Sequence, residues 1–147
     1  MRTRAARALV VDDDAAWQSL VAEILRDSGL LVDAASSLPE ALPLICQASH
    51  QLAVVDLALD GNDHLNQDGL QVLAELQQHD PGCPAILLTG YATADLAARA
   101  TAEFGALICL RKDTFQRAQF RKLIQQVLAS FIEEKTYGRT TDPNPGR

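Results

Sequence analysis

The chain has 147 residues, a length that fits one ordinary domain, and its 48% apolar and 22% charged residues are typical of a globular protein. With 13 basic against 19 acidic residues its formal net charge is −6, which argues against nucleic acid as the main partner, because a phosphate backbone is bound by a basic surface. No apolar run approaches the roughly 18 residues of a membrane span or the roughly 7–15 residues of a signal peptide core. We therefore expect a cytoplasmic protein with no membrane partner.

Short apolar runs and helical patterns alternate along the chain. The apolar runs predict buried strands at residues 8–11, 52–55, 85–88 and 107–110, and a strand nearer a sheet edge at residues 30–34. Apolar residues at helical spacing predict helices around residues 17–25, 39–49, 70–76, 96–104 and 120–131. Pro43 lies inside the second helical pattern and lacks an N–H, so we expect that helix to start late or to kink. The alternation predicts an α/β fold with a five-stranded parallel sheet that is covered by helices on both faces.

The sequence predicts one domain over residues 1–134 and a tail over residues 135–147. The tail contains two prolines and two glycines but no apolar period, so we predict that it is disordered or a linker. The three cysteines, Cys46, Cys83 and Cys109, match no zinc-binding spacing and are predicted to be reduced core residues.

Polar residues stand at the ends of four predicted strands. Asp12 and Asp13 follow the first strand, Asp56 the third, Thr89 the fourth and Lys112 the fifth. Because the carboxyl ends of parallel strands share one edge of a sheet, we expect these five side chains to converge there. Carboxylates this close repel one another, and Mg²⁺, which prefers oxygen ligands, relieves that repulsion. A hydroxyl and an ammonium remain to hold phosphate oxygens, so the set predicts a phosphoryl-transfer site.

Taken one at a time, these residues also have plainer interpretations. The acidic run at residues 12–14 is typical of helix capping, for which Asp14 alone suffices, and backbone hydrogen bonds could account for a lone Asp56. Thr89 alone is more typical of a structural hydroxyl, and Lys112 alone of a solvated charge. Their occurrence in one series of strand ends favours the functional interpretation.

Four short segments carry a resemblance to a known family. Residues 9–14 (LVVDDD), 54–56 (VVD), 87–90 (LLTG) and 105–112 (GALICLRK) look like the receiver domain of two-component response regulators. The resemblance covers residues 7–131. It implies a flavodoxin-like (βα)5 fold whose parallel sheet has the strand order 2-1-3-4-5.

The resemblance also implies a function and its residues. Asp56 would accept a phosphoryl group from a histidine kinase or a phosphotransfer protein in a phosphorelay, and the chain would catalyse no reaction beyond its own phosphoryl uptake and release. The Mg²⁺ ligands would be Asp12, Asp13, Asp56 and the backbone carbonyl of Ala58, while Thr89 and Lys112 would hold phosphoryl oxygens and Gly90 would leave room for them. Phosphorylation would shift the population of conformations and change contacts with a downstream protein or a fused output domain. Receivers also often form homodimers through the face between their fourth and fifth helices.

The sequence departs from this family in three places. The loop after Asp56 is long, since the pair Asp68-Gly69 comes later than in the family, and this extra segment could cover the site, contact a partner or be a solvated loop. Cys109 occupies a position where the family often has an aromatic switch residue. Asp113 replaces a proline after Lys112, and we expect a trans bond there because a non-proline cis bond costs roughly 3–4 kcal/mol.

Two alternative functions remain open at this stage. A receiver-like adaptor that binds its partner without phosphorylation is favoured by Cys109, Asp113 and the long loop. A Mg²⁺-dependent phosphohydrolase would use Asp56 as nucleophile, but Ala58 stands where such enzymes need an acid/base aspartate. Two further residues near the site, His64 in the long loop and Tyr91 after Thr89, are predicted to be an exposed loop residue and a residue that packs or gates the site.

Overall fold

The computed structural model of the protein describes residues 6–63, 65–90 and 93–140, with side chains up to residue 130. The predictions for His64 and Tyr91 therefore lie outside the described residues. The sheet contains β1 (Arg7–Val11), β2 (Leu31–Ala35), β3 (Leu52–Val55), β4 (Ala85–Thr89) and β5 (Ala106–Arg111). The helices are α1 (Ala15–Asp27), α2 (Leu38–Gln47), α3 (Asp68–His79), α4 (Ala94–Phe104) and α5 (Arg117–Thr140), and a 3₁₀ turn (Lys112–Thr114) precedes α5.

All strand pairs of the sheet are parallel, and the strand order is 2-1-3-4-5. The predicted flavodoxin-like α/β architecture is therefore confirmed. The order reverses direction between β1 and β3, which are hydrogen-bonded neighbours although β2 separates them in the chain. In an open parallel sheet, ligands bind beyond the carboxyl ends of the strands at such a reversal.

The central strand β1 shows how both faces of the sheet are covered. Leu9 and Val11 pack into a core with the helices α2, α3 and α4, while Ala8 and Val10 pack into a second core with α1 and α5. All four side chains are 0–1% exposed. An uninterrupted apolar run is what a strand buried on both faces requires.

The fifth strand departs from the prediction that it is buried. Leu107 is 51% exposed and Ile108 is 37% exposed. The apolar run does predict the strand, but β5 lies at the edge of the sheet, where it has a neighbouring strand on one side only. Burial on both faces is therefore wrong for β5.

The second helix also corrects the sequence analysis. It begins at Leu38 rather than late, because the Ser37 side chain accepts a hydrogen bond from Glu40 N (3.3 Å) and Pro39 lies in the first turn, where a missing N–H costs little. The helix continues through Pro43 to Gln47. Cys46, on this helix, is exposed, so its prediction as a core residue is wrong, whereas Cys83 is buried.

The backbone of α5 continues as helix to Thr140, past the domain boundary predicted at residue 134. The rest of the predicted tail, residues 141–147, lies outside the described residues. Among the helices of the described residues, none is both long and apolar enough to cross a membrane.

Candidate functional site

Three carboxylates meet where the order of the strands reverses. β1 and β3 run in register, with Val11 beside Val55, so the residues that follow them, Asp12 and Asp56, emerge side by side. Asp56 N donates to the carbonyl oxygen of Val11 (2.8 Å), which fixes its backbone against β1. One carboxylate oxygen from each of Asp12, Asp13 and Asp56 lies within 4.8 Å of the other two. The structure thus brings together the three acids that the sequence placed at this edge.

Lys112 is the cation of the site. It follows β5 in the 3₁₀ turn, and its Nζ lies 3.0 Å from Asp12 Oδ2 and 3.1 Å from Asp56 Oδ2. Burial lowers the pKa of Lys112, but the two carboxylates outweigh burial and raise that pKa above its usual value. The ammonium therefore stays charged at neutral pH.

One lysine does not balance the negative charge of the site. Burial, together with the Asp56 carboxylate, raises the pKa of Asp12 to about 7, although the backbone N–H of Asp14 and the Lys112 ammonium act in the opposite direction. The pKa of Asp13 is raised by its own burial and by Asp56. Carboxylates this close together resist ionising at the same time, because their negative charges repel. A bound cation would relieve that repulsion. The donor set consists of hard oxygen atoms, so it fits Mg²⁺ rather than a soft metal.

A cleft of about 480 Å³ opens beside these residues. Among its lining residues are Asp13, Asp14, Trp17, Asp56, Ala58, Asp60, Gly61, Asn62, Gly90 and Lys112. A Cβ added at Gly90, which also lines the cleft, would meet no described atom within 4 Å. Ala58 also lines the cleft, on the chain segment that follows Asp56.

Thr89 ends β4 and is wholly buried. Its register partner on β5 is Arg111, the residue before Lys112, so Thr89 and Lys112 leave adjacent strands at the same level of the sheet. Arg111 in turn donates to Asp113 at 2.6 and 3.1 Å, which closes the turn that carries Lys112. The peptide bond before Asp113 is trans, as predicted, because the described residues contain no cis bond.

The long loop after Asp56 folds compactly against the site. Asn66 Oδ1 accepts hydrogen bonds from Leu59 N (3.0 Å) and Asp68 N (2.9 Å), which ties the two ends of the loop together. A Cβ at Gly61 would lie 3.2 Å from Asp13 Oδ2. Asp60, Gly61 and Asn62 of the loop line the cleft, so this part of the loop borders the acidic site.

Sequence reasoning missed one residue of the site. Trp17 was predicted only as an apolar position of the first helix, but Lys112 Nζ lies 5.1 Å from the centroid of its ring. The available signal was its place in the first turn of α1, directly after the acidic run. Asp14, in contrast, is the predicted N-cap, since its side chain accepts from Ala16 N (2.9 Å) and Trp17 N (3.2 Å).

Comparison with known proteins assigns the family. The family model of the response regulator receiver domain matches residues 8–128, so the chain belongs to the receiver domains of two-component response regulators. The transcriptional regulatory protein GlrR of Escherichia coli (strain K12) is 34% identical over 101 residues, which make up 69% of this chain and 22% of GlrR. A putative response regulator NtrX-like of Rickettsia bellii is 28% identical over 92 residues, which are 63% of this chain and 19% of that protein. The chain thus spans about a fifth of the length of these curated relatives.

Two solved structures resemble the fold closely. The receiver domain protein (CheY-like) from Methanospirillum hungatei JF-1 has 26% sequence identity and a TM-score of 0.73, and the match covers 88% of this chain and 99% of that one. A response regulator from Burkholderia pseudomallei, solved with a phosphorylated aspartic acid, a calcium ion and citrate, has 27% identity and a TM-score of 0.68 over 92% of this chain and 84% of that one.

Proposed function

We propose that this receiver accepts a phosphoryl group on Asp56 from a histidine kinase or a phosphotransfer protein, with Mg²⁺ as cofactor. The observation that carries the proposal is the placement of Lys112 between the buried carboxylates of Asp12 and Asp56, beside an open cleft. The Burkholderia pseudomallei relative contains a phosphorylated aspartic acid, which supports an aspartate as the acceptor in this chain as well.

The cation would be held by Asp12, Asp13, Asp56 and the backbone carbonyl of Ala58. When bound, Mg²⁺ neutralises charge that develops on the phosphoryl oxygens. The residues of the chain do the remaining work. An oxygen of Asp56 forms a bond to phosphorus while the bond from phosphorus to the histidine nitrogen breaks, and its electron pair stays on the imidazole. Lys112 and Thr89 then hold phosphoryl oxygens, one by charge and one by a hydroxyl hydrogen bond.

The phosphorylated form would act through changed protein–protein contacts, either with a downstream protein or with a fused output domain. GlrR is described as a transcriptional regulatory protein and is much longer than this chain, which supports an output domain in the relatives. We place the proposed exchange with a kinase in the cytoplasm, and we extend to this chain the expectation of a homodimer through the face of α4 and α5.

Asp56→Asn tests the acceptor. With Mg²⁺ and acetyl phosphate, intact mass spectrometry should show one added phosphoryl group on the wild type and none on the variant, because the amide is a poor nucleophile. Asp60→Asn is the matched control, since Asp60 lines the same cleft on the loop and should leave uptake unchanged. Label retained by Asp56→Asn and mapped to another residue would contradict the proposal.

An adaptor that works without phosphorylation is the second candidate. It is favoured by Cys109, which is half-buried on β5 and offers no aromatic ring to a switch, and by the loop packed against Asp13. Absence of uptake from both acetyl phosphate and a phosphorylated histidine phosphotransfer protein would favour the adaptor. Uptake from either donor would exclude it.

Gly61→Ala should weaken Mg²⁺ binding. The new Cβ would lie 3.2 Å from Asp13 Oδ2, so either the loop or this carboxylate must move by a few tenths of an ångström. We expect a Kd increase of about fivefold, corresponding to roughly 1 kcal/mol. Isothermal titration calorimetry measures it, and Gly82→Ala, where a Cβ would meet nothing within 4 Å, is the control. Equal affinities of the two variants would show that the loop does not position Asp13.

A further inference from the structure

We propose that Trp17 is a positioning residue for phosphoryl uptake, because its indole ring holds the ammonium of Lys112 between Asp12 and Asp56. This inference rests on the proposed function of Asp56 and deepens it. It concerns the aromatic contact that Lys112 makes in addition to its contacts with the two carboxylates.

The ammonium of Lys112 has charged partners and an aromatic one. Its Nζ lies 3.0 Å from Asp12 Oδ2, 3.1 Å from Asp56 Oδ2 and 5.1 Å from the centroid of the Trp17 ring. Indole is the best aromatic partner of a cation, and the contact is effective within about 6 Å of the ring centroid. The Lys112 side chain is only 14% exposed, so the attraction is little weakened by water. A lysine is a point charge on a flexible stem, and partners on different sides are needed to fix it.

The Trp17 ring itself rests on other rings. Phe115 meets it nearly edge-on, with ring centroids 5.1 Å apart and an interplanar angle of 85°, which is a favoured aromatic geometry. Phe115 also packs on Phe120, again with centroids 5.1 Å apart, and Phe120 is 2% exposed in the core under α5. The backbone of Trp17 is fixed by the first turn of α1, where its backbone N–H donates to Asp14 Oδ1. These neighbours therefore hold the indole ring in place against Lys112.

The contact between the Trp17 ring and the Lys112 ammonium matters when phosphorylation changes the charge and the shape of Asp56. On phosphorylation, Lys112 exchanges a carboxylate oxygen of Asp56 for a phosphoryl oxygen. The contact with Trp17 does not depend on either oxygen, so it keeps the ammonium in the cleft while its other partners change. Before transfer the two carboxylates already hold the ammonium, whereas during transfer the Asp56 contact is being exchanged and the ring contributes a larger share of what holds Lys112. We therefore expect an effect on the limiting rate rather than on donor binding.

The main test compares Trp17→Leu with Trp17→Phe. With Mg²⁺ and a range of acetyl phosphate concentrations, we expect the limiting rate of phosphoryl uptake to fall about tenfold in Trp17→Leu and only about two- to threefold in Trp17→Phe, which keeps an aromatic face. The half-saturating concentration of acetyl phosphate should not change. Phe104→Leu is the matched control, because Phe104 also contacts a cation, Arg99, at 5.7 Å but lies outside the site. Equal rates of phosphoryl uptake by Trp17→Leu and Phe104→Leu would overturn the inference.

A second readout needs no phosphorylation. Trp17 is the single tryptophan of the chain, so tryptophan fluorescence reports on its surroundings alone. Lys112→Met should change the intensity or the wavelength of this emission, whereas Lys122→Met, which removes an exposed lysine of α5, should not. Identical emission of the wild type and Lys112→Met would overturn the contact.

The two readouts separate this inference from the proposed function. If the wild type takes up no phosphoryl group from any donor, the proposed function fails, and the fluorescence comparison still decides whether Trp17 and Lys112 interact. If the wild type is phosphorylated and Trp17→Leu is phosphorylated equally fast, the function stands and the inference fails. Circular dichroism of Trp17→Leu identifies loss of the fold, in which case Trp17→Phe and the fluorescence result decide.

Discussion

Replacing Asp12 with asparagine should stabilise the magnesium-free protein at pH 7, although it removes an ion pair with Lys112. Asp12 is 4% exposed, and burial and the Asp56 carboxylate raise the pKa of its carboxyl group from 3.8 to about 7. At pH 7 the unfolded state has released this proton, whereas about half of the folded molecules keep it, so ionising Asp12 costs folding free energy. Asparagine resembles the protonated acid, so we expect a gain of about 2 kcal/mol in the free energy of unfolding at pH 7.

The difference in the Asp12 pKa between the folded and unfolded states also predicts how the stability of the protein depends on pH. Between pH 3.8 and about 7 the folded state binds more protons at Asp12 than the unfolded state does, so this group makes wild-type stability fall as pH rises through that window. Asp12→Asn should lack that fall. Urea unfolding at a series of pH values in the presence of a chelator measures both curves, and Asp60→Asn, an exposed acid of the loop, is the control.

Added Mg²⁺ should reduce the stability advantage of Asp12→Asn over wild type. Wild type should gain about 1.4 kcal/mol at a Mg²⁺ concentration ten times its Kd, and Asp12→Asn should gain less, because it lacks one carboxylate ligand. A variant that is less stable than wild type without Mg²⁺ at pH 7 would contradict the charge imbalance on which the metal site rests.

Much of the fold could be predicted from the sequence because its signals are local and repeated. β1, β3 and β4 contain the uninterrupted apolar runs 8–11, 52–55 and 85–88, as strands of a sheet covered on both faces require. The same local rule failed for β5, because whether a strand is central or at an edge is decided by its neighbours, not by its own residues. The exposure of Leu107 is a consequence of strand order and could not be read from the run.

The candidate site likewise contains some contacts that the sequence could predict and others that it could not. Asp12, Asp56 and Lys112 converge because each follows a parallel strand, so a topological rule placed them without knowledge of any contact. The approach of Gly61 to Asp13 depends on the path of a long loop, which no periodicity specifies. The contact of Trp17 with Lys112 joins α1 to the turn after β5. The sequence did not indicate it, because packing against the core already explains an aromatic residue at an apolar position of α1.

Gly69→Ala should strongly impair both the fold and the acceptor. A Cβ at Gly69 would collide with the carbonyl oxygen of Asp56 and lie 2.6 Å from the Cα of Leu57. These are backbone atoms of the segment that carries the phosphoacceptor, and they cannot rotate away as a side chain could. Gly69 N also donates to Leu57 O (2.7 Å), so the start of α3 is tied to this segment and cannot withdraw without losing that bond.

We therefore expect Gly69→Ala to lose about 3 kcal/mol or more of the free energy of unfolding and, where it still folds, to take up phosphoryl groups far more slowly than wild type. Thermal unfolding and intact mass spectrometry measure the two effects, with Gly82→Ala as the control because its new Cβ would meet nothing within 4 Å. A Gly69→Ala protein as stable as Gly82→Ala would show that α3 can move away from β3. The close packing of α3 on the acceptor segment would then not be what holds Asp56 in place.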